Sequence, residues 1–171
     1  MHHSRQTAAL ILSVLVIGAA PADARERPGL QRHDFHREGS FERRNGDVVR
    51  SQTDQQATDN GFKRKTVLTD SQGRTATRDV DVSNDKSTGT RTRTVDGTTF
   101  SGKTYSGESV VKKTDDGYTR HDSFTNPEGK TSTRDVTVSK DGDTVSRTAT
   151  RTNPQGETHT NTSTRTVEGG K

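Results

Sequence analysis

One stretch of the chain has the residue spacing of a phosphate-binding loop. Residues 97–104, GTTFSGKT, fit the pattern GxxxxGK[ST]. In that motif, backbone N–H groups and a helix N-terminus surround the phosphates, so a buried strand must precede the loop and a helix must follow it. Here a polar Thr/Arg segment comes before the loop, and the glycine-containing Tyr105-Ser106-Gly107 comes after it. We therefore interpret the match as a coincidence of composition.

Three consecutive residues, His121, Asp122 and Ser123, are the types that form a hydrolase triad. Successive residues of a strand point to opposite faces, so Ser123 and His121 would share a face that Asp122 leaves. The imidazole would then reach the hydroxyl, but no residue is identified that would orient this base. We expect no catalytic role for the group.

Donor atoms also recur at spacings that metal sites use. Residues 79–85, DVDVSND, place oxygen donors at alternate positions, and Asp141-Gly142-Asp143 is comparable. Neither group has the glycine and distal glutamate of an EF-hand loop, so we interpret these carboxylates as turn-forming. His33 and His36 would share a helical face, but no third ligand lies nearby. The sequence predicts no metal site and no cofactor.

Arginines form the most extensive set of candidate binding residues. Within residues 130–139, Arg134 alternates in step with Val136 and Val138, and hydroxyl side chains and Asp135 take the other positions. If such segments are strands, the arginines share a face that would bind a polyanion such as acidic polysaccharide, lipid headgroups or extracellular DNA. Few aromatics interrupt them, which argues against base stacking. The predicted polyanion-binding residues are Arg78, Arg91, Arg93, Arg134, Arg147, Arg151 and Arg165.

The elements that would carry these arginines are strands with two distinct faces. In residues 157–167, threonines occupy every even position from 158 to 166. Strict period-two alternation is typical of a strand, because a helix would scatter these threonines around its axis. Cross-strand threonine pairs stabilise sheets, so we assign the threonines a structural role, although a flat threonine array could also bind ice or carbohydrate.

A duplication sets the architecture. Residues 61–83 align with residues 117–139 without a gap, at an offset of 56, and 11 of the 23 positions are identical. Turn signals recur about every 12 residues and are flanked by β-branched residues, as expected of strands joined by hairpins. The sequence predicts an all-β antiparallel meander built from duplicated Thr/Arg-rich hairpin units, with a disordered N-terminal segment.

Two kinds of turn are predicted. Pairs such as Asn60-Gly61, Asp96-Gly97 and Asp116-Gly117 tolerate the positive φ of a tight type I′ hairpin. Asn126-Pro127-Glu128-Gly129 suits a type I turn, and we expect a positive φ at Gly129.

The N-terminus has the pattern of a secretory signal peptide. Residues 8–20 form an almost wholly apolar run, and Ala22-Asp23-Ala24 supplies small residues for cleavage. The run is shorter than the ~20 residues that a membrane-spanning helix needs. We expect an exported protein, periplasmic or extracellular, with no transmembrane segment after cleavage; an uncleaved anchor is the alternative.

Composition limits the rest of the chain. Residues 25–171 contain 24 apolar or aromatic side chains and 28 threonines, so a thick core is not available. Cysteine is absent, and 27 basic residues against 23 acidic ones leave a net charge of +4, too small alone to indicate nucleic acid. The predicted organisation is a signal peptide at 1–24, a largely disordered polar segment at 25–60 with a candidate first strand near residues 47–51, a first β-repeat unit at 61–97, a Gly/Ser/Thr linker at 98–116 and a second β-repeat unit at 117–171.

Three functions from different classes fit these features. The first is an exported, non-enzymatic repeat β-protein with a structural or adhesive role at the cell envelope or extracellular matrix, with possible self-association. The second is a binding module for anionic polysaccharide or another polyanion, which uses an arginine-bearing sheet face. The third, a hydrolase or nucleotide-binding enzyme, is a remote alternative because no acid–base group has support.

The signal peptide yields a direct prediction. Expressed in a bacterium with a working secretion pathway, the protein should lose residues 1–24 and begin at Arg25, because a short apolar run followed by small residues directs cleavage. N-terminal sequencing of the exported product measures this. A product that retains Met1 would contradict the prediction.

Overall fold

The structure, a computed structural model, describes residues 34–167 and contains one antiparallel sheet in that range. Its ten strands follow each other in space in chain order, as the predicted all-β meander requires. The strands are β1 (Phe35–Glu42), β2 (Val48–Thr58), β3 (Gly61–Thr69), β4 (Thr75–Asp85), β5 (Thr90–Thr98), β6 (Thr104–Lys113), β7 (Gly117–Thr125), β8 (Thr131–Asp141), β9 (Thr144–Thr152) and β10 (Thr158–Thr166). Within the described range, the backbone of each strand lies close only to the strands next to it in sequence, so the sheet is a single layer.

The register divides the side chains into two faces. Directly paired residues of an antiparallel sheet lie on the same face, and residues two apart along a strand share it. Val80 pairs with Arg64 on one side and with Val95 on the other, and Val136 pairs with Arg120 and Ala149. We call the face that carries these residues the arginine face. The opposite face, which carries Thr77, Asp79 and their partners, is the threonine face.

The core lies on the arginine face alone. Every buried apolar residue of the described chain belongs to it: Val49, Ala76, Val80, Val82, Val95, Val136 and Ala149. Val80, Val82 and Val95 form the main cluster, against which Phe62 and Tyr105 pack. The predicted separation of valines from threonines on β8 and β9 is therefore confirmed. Because the sheet has a single layer, the buried residues are covered by neighbouring side chains of the same face.

Tyr105 shows how this covering works. A Cβ atom at Gly97, the residue paired with Tyr105, would lie 2.5 Å from Cζ of the Tyr105 ring. The ring therefore lies over the glycine and reaches β4, where its hydroxyl donates a hydrogen bond of 3.2 Å to the Thr77 carbonyl. The centroids of the Tyr105 and Phe124 rings are 6.3 Å apart. Glycine at position 97 is thus required inside a strand, and the predicted turn at Asp96-Gly97 is wrong.

The five turns at one end of the sheet share one design. Each contains a glycine with positive φ: Gly46, Gly73, Gly102, Gly129 and Gly156, at successive intervals of 27, 29, 27 and 27 residues. In the β7–β8 turn, the Gly129 N–H donates to the Asn126 carbonyl, and the Asn126 side chain accepts from the N–H groups of Glu128 and Lys130. The positive φ predicted for Gly129 is confirmed at 73°. The structural repeat is therefore one hairpin, and the 56-residue offset spans two of them.

Gly61 and Gly117 have a different role. The predicted turns at Asn60-Gly61 and Asp116-Gly117 form without positive φ at either residue of the pair. Instead, a Cβ atom at Gly61 would lie 1.5 Å from the Val82 carbonyl oxygen, and one at Gly117 would lie 2.0 Å from that of Val138. The two duplicated segments share this glycine because the neighbouring strand passes too close for any side chain.

Two predicted boundaries are corrected. Much of the segment 25–60, predicted to be disordered, forms β1 and β2. Although their side chains are mostly polar, their backbone N–H and C=O groups find partners, because β2 pairs with β3 and β1 pairs with β2. The predicted linker 98–116 contains β6, which pairs with both β5 and β7, so the two repeat units belong to one sheet. The signal peptide at 1–24 and residues 25–33 and 168–171 lie outside the described residues.

The close approach at Gly117 predicts a steric cost. Gly117→Ala would force its Cβ into the Val138 carbonyl, and we expect it to lower the free energy of unfolding by about 1–3 kcal/mol. Gly39→Ala is the control, because its Cβ would meet only the Ser51 Oγ at 3.4 Å and should change stability by less than about 0.5 kcal/mol. Urea unfolding followed by circular dichroism measures both, and equal stability of the two variants would contradict the assignment.

The one-sided core predicts opposite responses at adjacent residues. Val136 is 4% exposed, whereas Thr137 is exposed on the other face. Val136→Thr should cost about 1–3 kcal/mol because it buries a hydroxyl without a partner, and Thr137→Val should be nearly neutral. Both changes preserve side-chain shape. Similar costs for the two variants in thermal unfolding would mean that neither face is preferentially buried.

Candidate functional site: the arginine face

The register brings all seven predicted arginines to the arginine face. Arg78 extends from β4, Arg91 and Arg93 from β5, Arg134 from β8, Arg147 and Arg151 from β9, and Arg165 from β10. Three more strand arginines lie on this face: Arg37, Arg64 and Arg120. Two of these could have been recognised from the duplication, because Arg64 and Arg120 occupy equivalent positions of the repeated segments.

Charge is divided between the two faces far more sharply than the net charge implies. At strand positions the arginine face carries the ten arginines, Lys113 and Lys140, and a single acid, Asp122. The threonine face carries ten acids at strand positions and only four bases, Arg50, Lys63, Lys65 and Lys112. Although the net charge is small, the sheet therefore has one strongly positive face and one negative face. The positive potential over the arginine face would attract a polyanion.

The seven predicted arginines have no ion-pair partner within residues 34–167. The one acid of their face is engaged by Arg120, whose Nε donates to Asp122 Oδ1 over 2.7 Å. Arg64 is held differently, since its Nε and an Nη both donate to Gln55 Oε1 and its guanidinium lies 5.1 Å from the Phe62 ring centroid. Within the described residues no carboxylate forms an ion pair with any of the seven, although Asp122 is close enough to act on Arg134 through its charge.

Arg93 lies in the first group of close cations. Burial lowers the pKa of its guanidinium, and the positive charges of Arg78, Arg91, Arg120 and Arg64 lower it further. An arginine stays protonated in spite of such a shift, so the guanidinium remains cationic and its repulsion by the neighbouring arginines destabilises the fold. A bound anion would relieve this repulsion.

Arg134 lies in the second group and is the most informative residue of the face. Its Nε is buried and has no hydrogen-bond partner. Burial lowers the pKa of Arg134, followed by the charges of Arg151, Arg147 and Arg120, while Asp122 acts in the opposite direction. A buried donor without an acceptor is costly, so Arg134 Nε would gain stability from an added acceptor such as a water or an anion oxygen.

A cavity of about 250 Å³ adjoins Arg134. Its lining contains only cationic, amide, imidazole and methyl groups: Arg134, Arg147, Ala149, Arg151, His159 and Asn161. Arg134 and Arg151 are directly paired across β8 and β9, and His159 pairs with Arg151 from β10. Guanidinium groups present planar donor pairs that match carboxylate, sulfate and phosphate oxygens, so this cavity has the chemistry of an anion site.

The threonine face has a different chemistry. Threonine hydroxyls are linked across strands, for example Thr150 to Thr160 at 3.0 Å and Thr77 to Thr98 at 3.0 Å. His36 Nδ1 lies 2.5 Å from Asp54 Oδ1, and this hydrogen bond, with a second one to Glu38, raises the pKa of His36. These contacts give the hydroxyl and imidazole groups that make them a partner within the same face.

The catalytic candidates separate as the strand geometry requires. His121 and Ser123 lie on the threonine face and Asp122 lies on the other. His121 does have a carboxylate partner that the sequence did not reveal, because Asp135 Oδ1 lies 2.6 Å from its Nδ1 across β7 and β8. The pair is about half exposed on an open sheet surface.

The phosphate-loop and metal motifs also have structural explanations. Residues 99–102 of the GxxxxGKT match form the β5–β6 turn, between two strands, so no helix N-terminus faces them. Asp81 pairs with Lys63 at 3.6 Å. Asp85 accepts hydrogen bonds from Ser87 and Thr88, which lower its pKa to about 2. His33 lies outside the described residues, and within 34–167 no three His, Asp or Glu side chains converge as metal ligands would.

Residues 34–167 contain no helix long and apolar enough to cross a membrane. Comparison of the chain with protein-family models, curated proteins and solved structures found no match.

Proposed function

We propose that the protein is a non-enzymatic binding module that holds an anionic polysaccharide on the arginine face. The observation that carries the proposal is the set of seven arginines, gathered from five strands onto one surface, with no carboxylate paired to any of them in the described chain. Such a surface is electrostatically unfavourable alone. Binding of a polyanion would compensate the charges and supply the missing acceptor at Arg134 Nε.

The spacing of the arginines favours a polymer over a small anion. Neighbouring strands are ~4.8 Å apart, and same-face residues of one strand are separated by ~6.8 Å. Arg91 and Arg93 occupy adjacent same-face positions of β5. In the second group, Arg134 of β8 pairs directly with Arg151 of β9, and Arg147 lies two same-face positions further along β9. A polyanion with negative charges at regular intervals can contact both groups of arginines at once. Each additional contact then increases the affinity of the same polymer molecule.

A polysaccharide fits the face better than a nucleic acid. Base recognition by single-strand binders uses aromatic side chains as stacking platforms. The Tyr105 ring is already engaged, since it covers Gly97 and donates to Thr77. Guanidinium groups bind the sulfates or carboxylates of a glycan without any need for free aromatic rings.

This binding supports a structural or adhesive role at the cell envelope or in the extracellular matrix. Export, inferred from the N-terminal sequence, would deliver the protein to a compartment where acidic polysaccharides are abundant. The single-layer sheet suits adhesion, because one face would attach to the polymer while the acidic threonine face remains turned towards solvent.

The proposal predicts that affinity depends on the face and not on net charge. Replacement of Arg134, Arg147 and Arg151 by glutamine should weaken binding to heparin, a sulfated polysaccharide, by about tenfold or more, because three guanidinium contacts are lost. The matched control replaces Arg50, Lys65 and Lys112 by glutamine, which removes the same charge from the threonine face. Isothermal titration calorimetry at several salt concentrations measures both variants.

The outcomes are distinct. Binding that weakens with salt, is lost in the arginine variant and is kept in the control supports the proposal. Equal losses in the two variants would show that only net charge matters and would overturn it. Tighter binding to single-stranded DNA than to heparin would assign the face to nucleic acid instead.

A further inference from the structure

The β10 edge of the sheet presents a complete set of unused backbone groups. At the two ends of the β9–β10 ladder, the Asn153 N–H donates to the Glu157 carbonyl and the Val167 N–H donates to the Asp143 carbonyl. Hydrogen-bonded pairs alternate in an antiparallel ladder, so odd-numbered residues of β10 direct their backbone towards β9. The N–H and C=O groups of the even-numbered residues, all threonines, therefore point outward from the sheet.

Nothing on β10 blocks this edge. All nine of its residues are exposed, it contains no proline or acid, and Arg165 is its one permanent charge. The opposite edge differs, because β1 carries Arg37, Glu38 and Glu42 together with His36 in eight residues. Charges of this density are a common protection against edge-to-edge pairing, and β10 lacks it.

We propose that two copies of the chain pair through their β10 strands, antiparallel, about a two-fold axis at Asn161. Thr160 then pairs with Thr162 of the second copy, and Thr158 pairs with Thr164, through their outward backbone groups. On the threonine face, this arrangement sets threonine beside threonine, as in β9–β10, where the Thr148 and Thr162 hydroxyls are 3.2 Å apart. The new pairs are hydrogen-bonded ones, so their Cα atoms would be ~5.5 Å apart, wider than the ~4.5 Å of the β9–β10 threonine pairs.

Charge complementarity selects this register. The arginine-face partners become Asn161 with Asn161, Ser163 with His159, and Arg165 with Glu157 of the other copy. The Arg165–Glu157 pair forms twice and joins the strand's one arginine to an exposed acid of the β9–β10 turn, whose Oε2 also accepts a hydrogen bond from Asn153 Nδ2. A shift that centred the axis on Thr162 would place Arg165 opposite His159 and lose both ion pairs, so it is disfavoured.

The pairing has a consequence for binding. Directly paired strand residues share a face, so both copies present their arginine faces on the same side of one continuous sheet. A polyanion that spans the junction would contact twice as many guanidinium groups. The pairing itself stands on the β10 edge and not on the proposed function, so it can be tested without a polyanion.

Cysteine cross-linking gives a test of the register, because the chain has no cysteine of its own. Asn161 pairs with itself at a position without backbone hydrogen bonds, where Cα atoms are ~4.5 Å apart, within the range of a disulfide. Asn161→Cys should therefore give a covalent dimer under mild oxidation. Ser163→Cys is the matched control on the same exposed face, and its two copies would lie ~13 Å apart, which is too far.

A second change tests the backbone contacts. Thr162→Pro, added to Asn161→Cys, removes an outward N–H and leaves the β9–β10 ladder intact, so circular dichroism should be unchanged while the rate of cross-linking falls by about tenfold. The dimer should be weak, because a single strand pair buries little area, so the protein without cysteine is examined by analytical ultracentrifugation at high concentration.

The results decide the proposal. A covalent dimer of Asn161→Cys, slow cross-linking of the other two variants and a reversible dimer by ultracentrifugation would support it. Equal cross-linking of the Asn161→Cys and Ser163→Cys variants, a monomer at all concentrations, or assembly beyond the dimer would overturn it. None of these results depends on polysaccharide binding, which the arginine variants test separately.

Discussion

The register of the strands is the constraint on which the rest of the structure depends. With a single layer, no second sheet or helix exists in the described chain to bury an apolar surface, so burial must come from one face alone. A one-residue shift of β8, for example, would move Val136 and Val138 to the threonine face and Asp135 to the arginine face. Fold stability and the separation of charge are therefore set by the same pairing.

Several glycines hold this register in place. At one end, a positive-φ glycine closes each hairpin, and a side-chain acceptor such as Asp70, Asn126 or Asn153 fixes the turn that leads to it. At the other end, Gly61 and Gly117 permit a close approach that no side chain would allow. Turn geometry fixes which residues lie opposite one another, and each hairpin passes its register to the next.

Much of this organisation could be predicted from the sequence, because alternation of residue types is local. The parity of Arg134, Val136 and Thr137 alone places them on the correct faces. Non-local contacts could not be found in this way. The His121–Asp135 pair requires the register of β7 against β8, and the assignment of Gly97 to a strand requires the Tyr105 ring that covers it.

The sequence does not predict β1, β6 or the second half of β2 for a related reason, although the candidate strand near residues 47–51 coincides with the start of β2. Their polar or glycine-containing sequences have weak strand preference, and they form because a neighbouring strand supplies hydrogen-bond partners. The same dependence links stability to binding. Arg134 is partly buried on the arginine face, and the charges of Arg147 and Arg151 act against its own. An anion that neutralised these charges would remove a penalty already present in the folded state, so binding of the proposed polyanion would also stabilise the sheet.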